Sequence, residues 1–240
     1  MNLLKLYEHN LFGLELFFGE FRAYHKLIEE FLSKEHNKLL DSYSEESLKK
    51  EAQKSGEYER EYYLHIQDSF IERSMELSVS YPNYFRSSFS IQLIAIAEAE
   101  LIKICDLVSK QKETTFKLKG SPGNSNFEKA KLFLKKTIDI ELAEDIMDDW
   151  LFINKCRVIR NKFVHNGGVV NSNESNNWNT IIEFQNQQKL FKFRETNDQP
   201  IKNDLESLTV ILGNNYNIEL IDTLERFFGK LLEMINKKCS

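Results

Sequence analysis

The chain has 240 residues, 41% of them hydrophobic and 29% charged, with only 9 glycines and 3 prolines. That length supports one large domain with a proper core, and the scarcity of breakers leans it toward helices. A net charge of -5 excludes a global basic field for nucleic acid, so any such binding must rest on a local patch.

The opening stretch, MNLLKLYEHNLFGLELFF, lacks a basic leader and a small-residue cleavage site, and Glu8 and Glu15 interrupt its apolar run. Neither a signal peptide nor a membrane span is expected from it. Residues 11–40 read as an amphipathic helix. Residues 45–80 read as one long, highly charged helix whose tyrosines and Leu64, Ile66, Phe70 and Ile71 give it an apolar side. Tyr81-Pro82-Asn83 is expected to break it.

Residues 84–110 are the most apolar helix. At 100° per residue, Ile91, Ile94, Ala95, Leu101, Ile102 and Cys105 make one stripe, and Leu93, Ile96, Ile104 and Leu107 an opposite one. A helix apolar on two faces is normally central. Glu98 falls inside the first stripe and Glu100 inside the second. Such a carboxylate is either a solvated edge or structural ion pair, or a partner for Arg157 or Arg160.

Gly120-Ser121-Pro122-Gly123-Asn124-Ser125 marks a loop, and it lacks the Gly-Lys-Ser/Thr ending of a nucleotide-binding P-loop. Helices follow at 127–136 and 140–165, the second stopped by Gly167-Gly168. Residues 171–179 read as a polar loop. Residues 181–185 and 189–195 alternate like strands and are expected to pair as a hairpin across Asn186-Gln187-Gln188, with 207–212 a third short strand. A final amphipathic helix spans roughly 217–237. The expected whole is mainly α, a single domain over 1–240 with a small β-hairpin insert. Residues 1–80 form an extension packed on an 84–240 core.

Cys105, Cys156 and Cys239 are an odd number without metal-type spacing. The first two sit in apolar helical patterns and read as core thiols, which suits a reducing, cytoplasmic location. His9, His25 and His36 are isolated, so no metal site and no cofactor is expected.

Chemistry concentrates in Arg160-Asn161-Lys162-Phe163-Val164-His165, near the end of its helix. Phe152, Cys156, Ile159 and Phe163 follow a core spacing, while Trp150, Arg157, Asn161 and Val164 cluster on the far side. Arg160 and His165 flank that second face, and Asn161 and His165 are surface neighbours four apart. From 151 to 170 there is no Asp or Glu, while Lys155, Arg157, Arg160 and Lys162 are cationic, a local positive patch. An arginine can hold a phosphate and a histidine can move a proton near neutral pH, the minimum for metal-free phosphodiester cleavage. The bland alternative is an ordinary solvated face whose cations complement the helix dipole.

Residues 156–168, CRVIRNKFVHNGG, resemble the signature of the HEPN superfamily, an Arg-polar-x(3 or more)-His motif near the end of a core helix. The resemblance covers about thirteen residues. It implies an HEPN-like all-α bundle and a metal-independent endoribonuclease of toxin–antitoxin or antiviral defence type. RNA would be the substrate and a homodimer through the motif helix the working form, with an antitoxin or regulatory protein as a further partner. Arg160 would bind the scissile phosphate, His165 act as general acid or base, and Asn161 orient the pair or contact RNA. Lys155, Arg157 and Lys162 would add RNA-binding charge. Attack by the ribose 2′-OH would leave 2′,3′-cyclic phosphate and 5′-OH ends. Two other readings stay open: a non-catalytic module binding protein, nucleotide or RNA, and a structural helical scaffold. Arg60 to His65 repeats the Arg-x4-His spacing, but Glu61 would neutralise Arg60 and no glycine stop follows.

Overall fold

A computed structural model of the chain describes residues 3–43, 59–114, 125–195 and 207–239. Helix α1 spans Leu3–Ser42. Its Leu14, Phe18, His25 and Leu32 are buried, following a helical stripe. That stripe lies chiefly along the last helix, α8 (Tyr216–Cys239), whose Phe228 ring sits 6.5 Å from Phe18. Arg22 clamps the same seam, bonding Asp222 at 2.6 Å and also Glu225.

Helix α2 (Glu59–Met75) runs into a π-helical turn, Glu76–Ser80, and directly on into α3, Tyr81–Gln111. The expected break at Tyr81-Pro82-Asn83 does not occur. Proline ordinarily collides with the carbonyl four residues back. Here the preceding turn is widened, with the Tyr81 N–H donating to the Glu76 carbonyl, and Pro82 falls in the first turn of α3. The missing donor therefore costs little. Residues 45–58 of the expected long helix lie outside the described residues.

Nor is α3 apolar on two opposed faces. Leu93, Ile94, Ala97, Leu101, Ile104, Cys105 and Val108 form one buried stripe. Ile91, Ile96, Ile102 and Leu107 are only half-buried on its flanks, and Ala95 is exposed. Ala97 and Val108, missing from the expected stripes, are buried in the middle of this one.

Helix α4 (Asn126–Ile138) starts on Ser125, whose hydroxyl accepts from the Glu128 N–H at 3.3 Å, and stops at Asp139 in the left-handed region. The Gly120–Asn124 part of the expected loop lies outside the described residues. A four-residue helix, α5 (Leu142–Asp145), precedes α6, Met147–Asn166, so the expected 140–165 helix is two helices. The glycine stop holds: Gly167 has φ 60°, Gly168 has φ 87°, and the Gly168 N–H reaches the Lys162 carbonyl at 3.1 Å. A Cβ on Gly168 would stand 2.6 Å from the Phe163 ring. Gly168→Ala is therefore expected to cost about 1–3 kcal/mol through strain and clash together, read as a lowered denaturation midpoint.

After α6 come β1 (Val169–Asn171), α7 (Ser175–Gln188), β2 (Phe191–Glu195) and β3 (Ser207–Leu212). The sheet order is β1-β3-β2, antiparallel throughout, with Val169 opposite Thr209 and Phe193 opposite Val210. The third strand falls where the spacing predicts it, but 181–185 is not a strand, and of the expected loop at 171–179 only 172–174 are turn, the rest belonging to β1 and α7. Trp178, Ile181 and Phe184 are three apart and make the inward face of α7, with Ile181 and Phe184 almost wholly buried. Five alternating residues suit either period, and here the burial partners chose the helix. The strand partner of β2 is therefore β3. Among the described residues no helix is long and apolar enough to cross a membrane.

Candidate active site

Helix α6 is held on several sides, packing on α3, α7, α8 and β1. Its buried face is Trp150, Ile153, Cys156 and Ile159, with Asp149 at one end and Lys162 at the other. Two expectations change here. Trp150 is a core residue between Phe127 and Phe227, not part of a far side. Phe152 and Phe163 pack at the edge of the core and are only half-buried. Burial pushes the Cys156 thiol up to about 12, as it does Cys105, so both behave as packing groups. Asp149, 2% exposed, is neutralised by Arg226 at 2.7 Å and Lys230 at 2.8 Å.

Of the two sequence readings of Glu98, the arginine-partner one describes its position. From α3, one of its oxygens lies 3.4 Å from Arg160 and the other 3.8 Å from Arg157. Arg157 is further anchored, donating to the Asn154 side-chain oxygen at 2.6 Å and lying 4.5 Å over the Phe127 ring. Burial lowers the Arg157 pKa, Glu98 opposes that shift and the Arg160 charge adds to it. The guanidinium stays protonated at any working pH. The Nε atoms of both arginines are buried without a hydrogen-bond partner. Glu98 thus compensates charge more than it satisfies donors.

Lys162 is not on a solvent face. It is 6% exposed and its ammonium is bonded to Glu174, the residue before α7. That bond holds the Glu174 carboxyl below its ordinary value of 4.5. A carboxylate so depressed adds stability above 4.5, and the contribution is lost as pH falls through the lower folded value. The melting-temperature gap between wild type and Glu174→Gln is therefore expected to be open at pH 7 and to narrow progressively as pH falls below 4.5. Sequence reasoning passed over Glu174, which sat in the stretch read as a loop. An acidic residue just before a helix was its one local signal.

Lys155 donates to Gln187 at 2.8 Å and lies over the Phe184 ring at 5.6 Å. The four cations expected as a free patch are thus largely spoken for. With Glu98 and Glu174 counted, two positive charges remain in excess. Asn161 and His165, by contrast, are exposed. They share their side of α6 with Met147, 51% exposed, Leu151, 48% exposed, and the half-buried Val158. Steps of four, seven, three and four residues keep these five in one line along the helix. Arg160 lies off this line, turned toward Glu98 of α3, its side chain 19% exposed.

The other histidines are placed elsewhere. His65 is exposed on α2, 3.3 Å from the Ser69 hydroxyl, and α2 packs on the π turn and α1. The Arg60 and His9 side chains lie outside the described residues. His25 is buried against Phe85 and Phe89, which lowers its pKa by desolvation, and His36 contacts Ser74 at 3.0 Å. Among the described residues no three His, Cys, Asp or Glu side chains gather as a metal site would need. No protein-family model, no curated protein and no solved structure matches this chain.

Proposed function

We propose that the chain is an endoribonuclease that needs no metal and acts through Arg160, Asn161 and His165. The observation that carries this reading is the division of labour on one helix. A guanidinium paired with Glu98 is followed, one and five residues on, by an exposed amide and an exposed imidazole, before a helix end closed by Gly167 and Gly168. The fixed cation binds the phosphate and its developing charge. The exposed imidazole exchanges protons with substrate. The ribose 2′-oxygen bonds to phosphorus as its proton passes to a base. The bond from phosphorus to the 5′-oxygen breaks, and that oxygen takes a proton from an acid. The products are a 2′,3′-cyclic phosphate and a 5′-OH.

One His165 cannot serve as base and acid at the same moment. A second copy supplies the other, and the side of α6 that carries Met147, Leu151, Val158, Asn161 and His165 is the surface on which two motif helices would meet. A role in toxin–antitoxin or antiviral defence accords with the superfamily resemblance. The test is incubation of the purified protein with mixed cellular RNA in EDTA, followed by end analysis. Cyclic phosphate ends are the expected product. Intact RNA under conditions where the protein is folded and dimeric would refute the assignment.

One observation favours a second reading, a non-catalytic module of the same fold. Glu98 occupies Arg160, which would leave the guanidinium with a structural duty alone. Under that reading RNA cleavage is absent and Arg160→Ala affects only stability.

A further inference from the structure

A cleft of about 1010 Å³ opens between α1, the π turn and the β2–β3 end of the sheet, and it uses none of the motif residues. Its α1 bank runs from Glu29 to Asp41, roughly 18 Å of helix. Leu32, Leu77, Phe191 and Leu212 close its floor, all of them buried. The walls are tied together by Arg86. Two of its nitrogens bond the Glu29 carboxylate at 2.7 Å each, and a third donates to the Leu212 carbonyl at 2.8 Å. Asn83 adds a second tie, accepting from the Leu212 N–H at 2.9 Å. The cleft is therefore built in advance of any ligand.

Its backbone is unusual at three points. The π turn forms one wall, Lys189 sits in the left-handed region at φ 53°, and Gly213 passes so close to Leu190 that a Cβ would lie 2.7 Å from the carbonyl oxygen. Such features recur where a chain serves a ligand. The charges are uneven too. Arg86 is neutralised by Glu29, Lys38 pairs with Glu35, and Glu30 lies 3.7 Å from Lys26. Lys34, Lys189 and Lys192 line the cleft, are exposed, and make no ion pair among the described residues. Of the described carboxylates on the lining, Glu29 and Glu30 are in those pairs and Asp41 is outside them, at the far end of the α1 bank. A local cationic excess in a chain of net charge -5 calls for an anion.

We propose that this cleft binds an oligophosphate, gripped by Lys34 from the helix bank and by Lys189 and Lys192 from the sheet bank. Three ammonium groups on opposite sides suit several linked negative charges better than one. The volume is at the upper end of small-ligand pockets and is large enough for an oligophosphate with or without a nucleoside. The oligophosphate is either free or carried by a nucleoside, whose base would find Asn37 and Asn214 on the lining.

The test is calorimetric titration of the full chain at physiological salt with sodium tripolyphosphate and with ATP. Wild type is compared with Lys34→Ala/Lys189→Gly/Lys192→Ala and with His165→Ala. Glycine at 189 accepts the left-handed backbone, and all three lysines are exposed, so thermal melting should match wild type. Binding of at least one probe is expected, weakened about tenfold or more in the triple variant and unchanged in His165→Ala. ATP tighter than tripolyphosphate by about tenfold or more assigns a nucleotide, and equal affinities a free oligophosphate. Binding of neither probe by wild type, or equal binding by wild type and triple variant, overturns the proposal. So does a single-stranded RNA that binds through these lysines while neither small probe does. Failure here leaves the ribonuclease reading untouched, because Arg160 and His165 line a different surface.

Discussion

His165→Ala is expected to slow RNA cleavage by about 10²- to 10⁴-fold, the usual worth of a positioned proton-transfer group. The melting temperature should hardly move. The imidazole is exposed on the last turn of α6, so the stability change should stay within about 0.5 kcal/mol. Loss of activity without loss of fold is what separates a reacting group from a structural one. The loss should fall mainly on kcat, since a proton shuttle acts in the transition state, whereas Arg160→Lys should also raise KM by removing the two-pronged hold on phosphate. Initial rates in EDTA beside thermal melts decide the matter. Undiminished cleavage by His165→Ala would remove this residue from the chemistry.

Glu98→Ala should do the reverse. It strands two half-buried guanidiniums, Arg157 and Arg160, whose Nε atoms already lack hydrogen-bond partners. Breaking a well-buried pair from one side costs about 3–5 kcal/mol. Here the groups keep some solvent access and Arg157 retains Asn154 and the Phe127 ring, so about 2–3 kcal/mol is expected by the same reasoning. Denaturant unfolding measures it. A double-mutant cycle with Arg157→Met checks the origin: removing a like charge along with Glu98 should recover part of the loss. A Glu98→Ala protein as stable as wild type would mean that Glu98 holds nothing in place. Activity should fall as well, because an arginine freed from its anchor must be ordered again by each substrate.

Much of this molecule follows from local rules. The glycine stop after His165, the short strand at 207–212 and the amphipathic closing helix each rest on a few adjacent residues, and each sits where its spacing places it. The candidate site was legible in the same way, because Arg160, Asn161 and His165 share one helix and their relation is set by 3.6 residues per turn. Elsewhere local rules were outvoted by residues distant in the chain. Pro82 does not end its helix because the turn before it widened. The stretch 175–188 is helical because Ile181 and Phe184 found a core. Lys162 is buried because Glu174 reaches back to it, and Glu98 serves two arginines some sixty positions away. Local sequence settles the mainly helical class, the helix end at Gly167-Gly168 and the identity of the candidate site residues, since those depend on backbone sterics and side-chain type. Tertiary structure alone decided which of the clustered cations are free and where a pre-built cationic cleft would open. Charge pairing and burial depend on which distant surfaces meet, and spacing along a chain does not encode that.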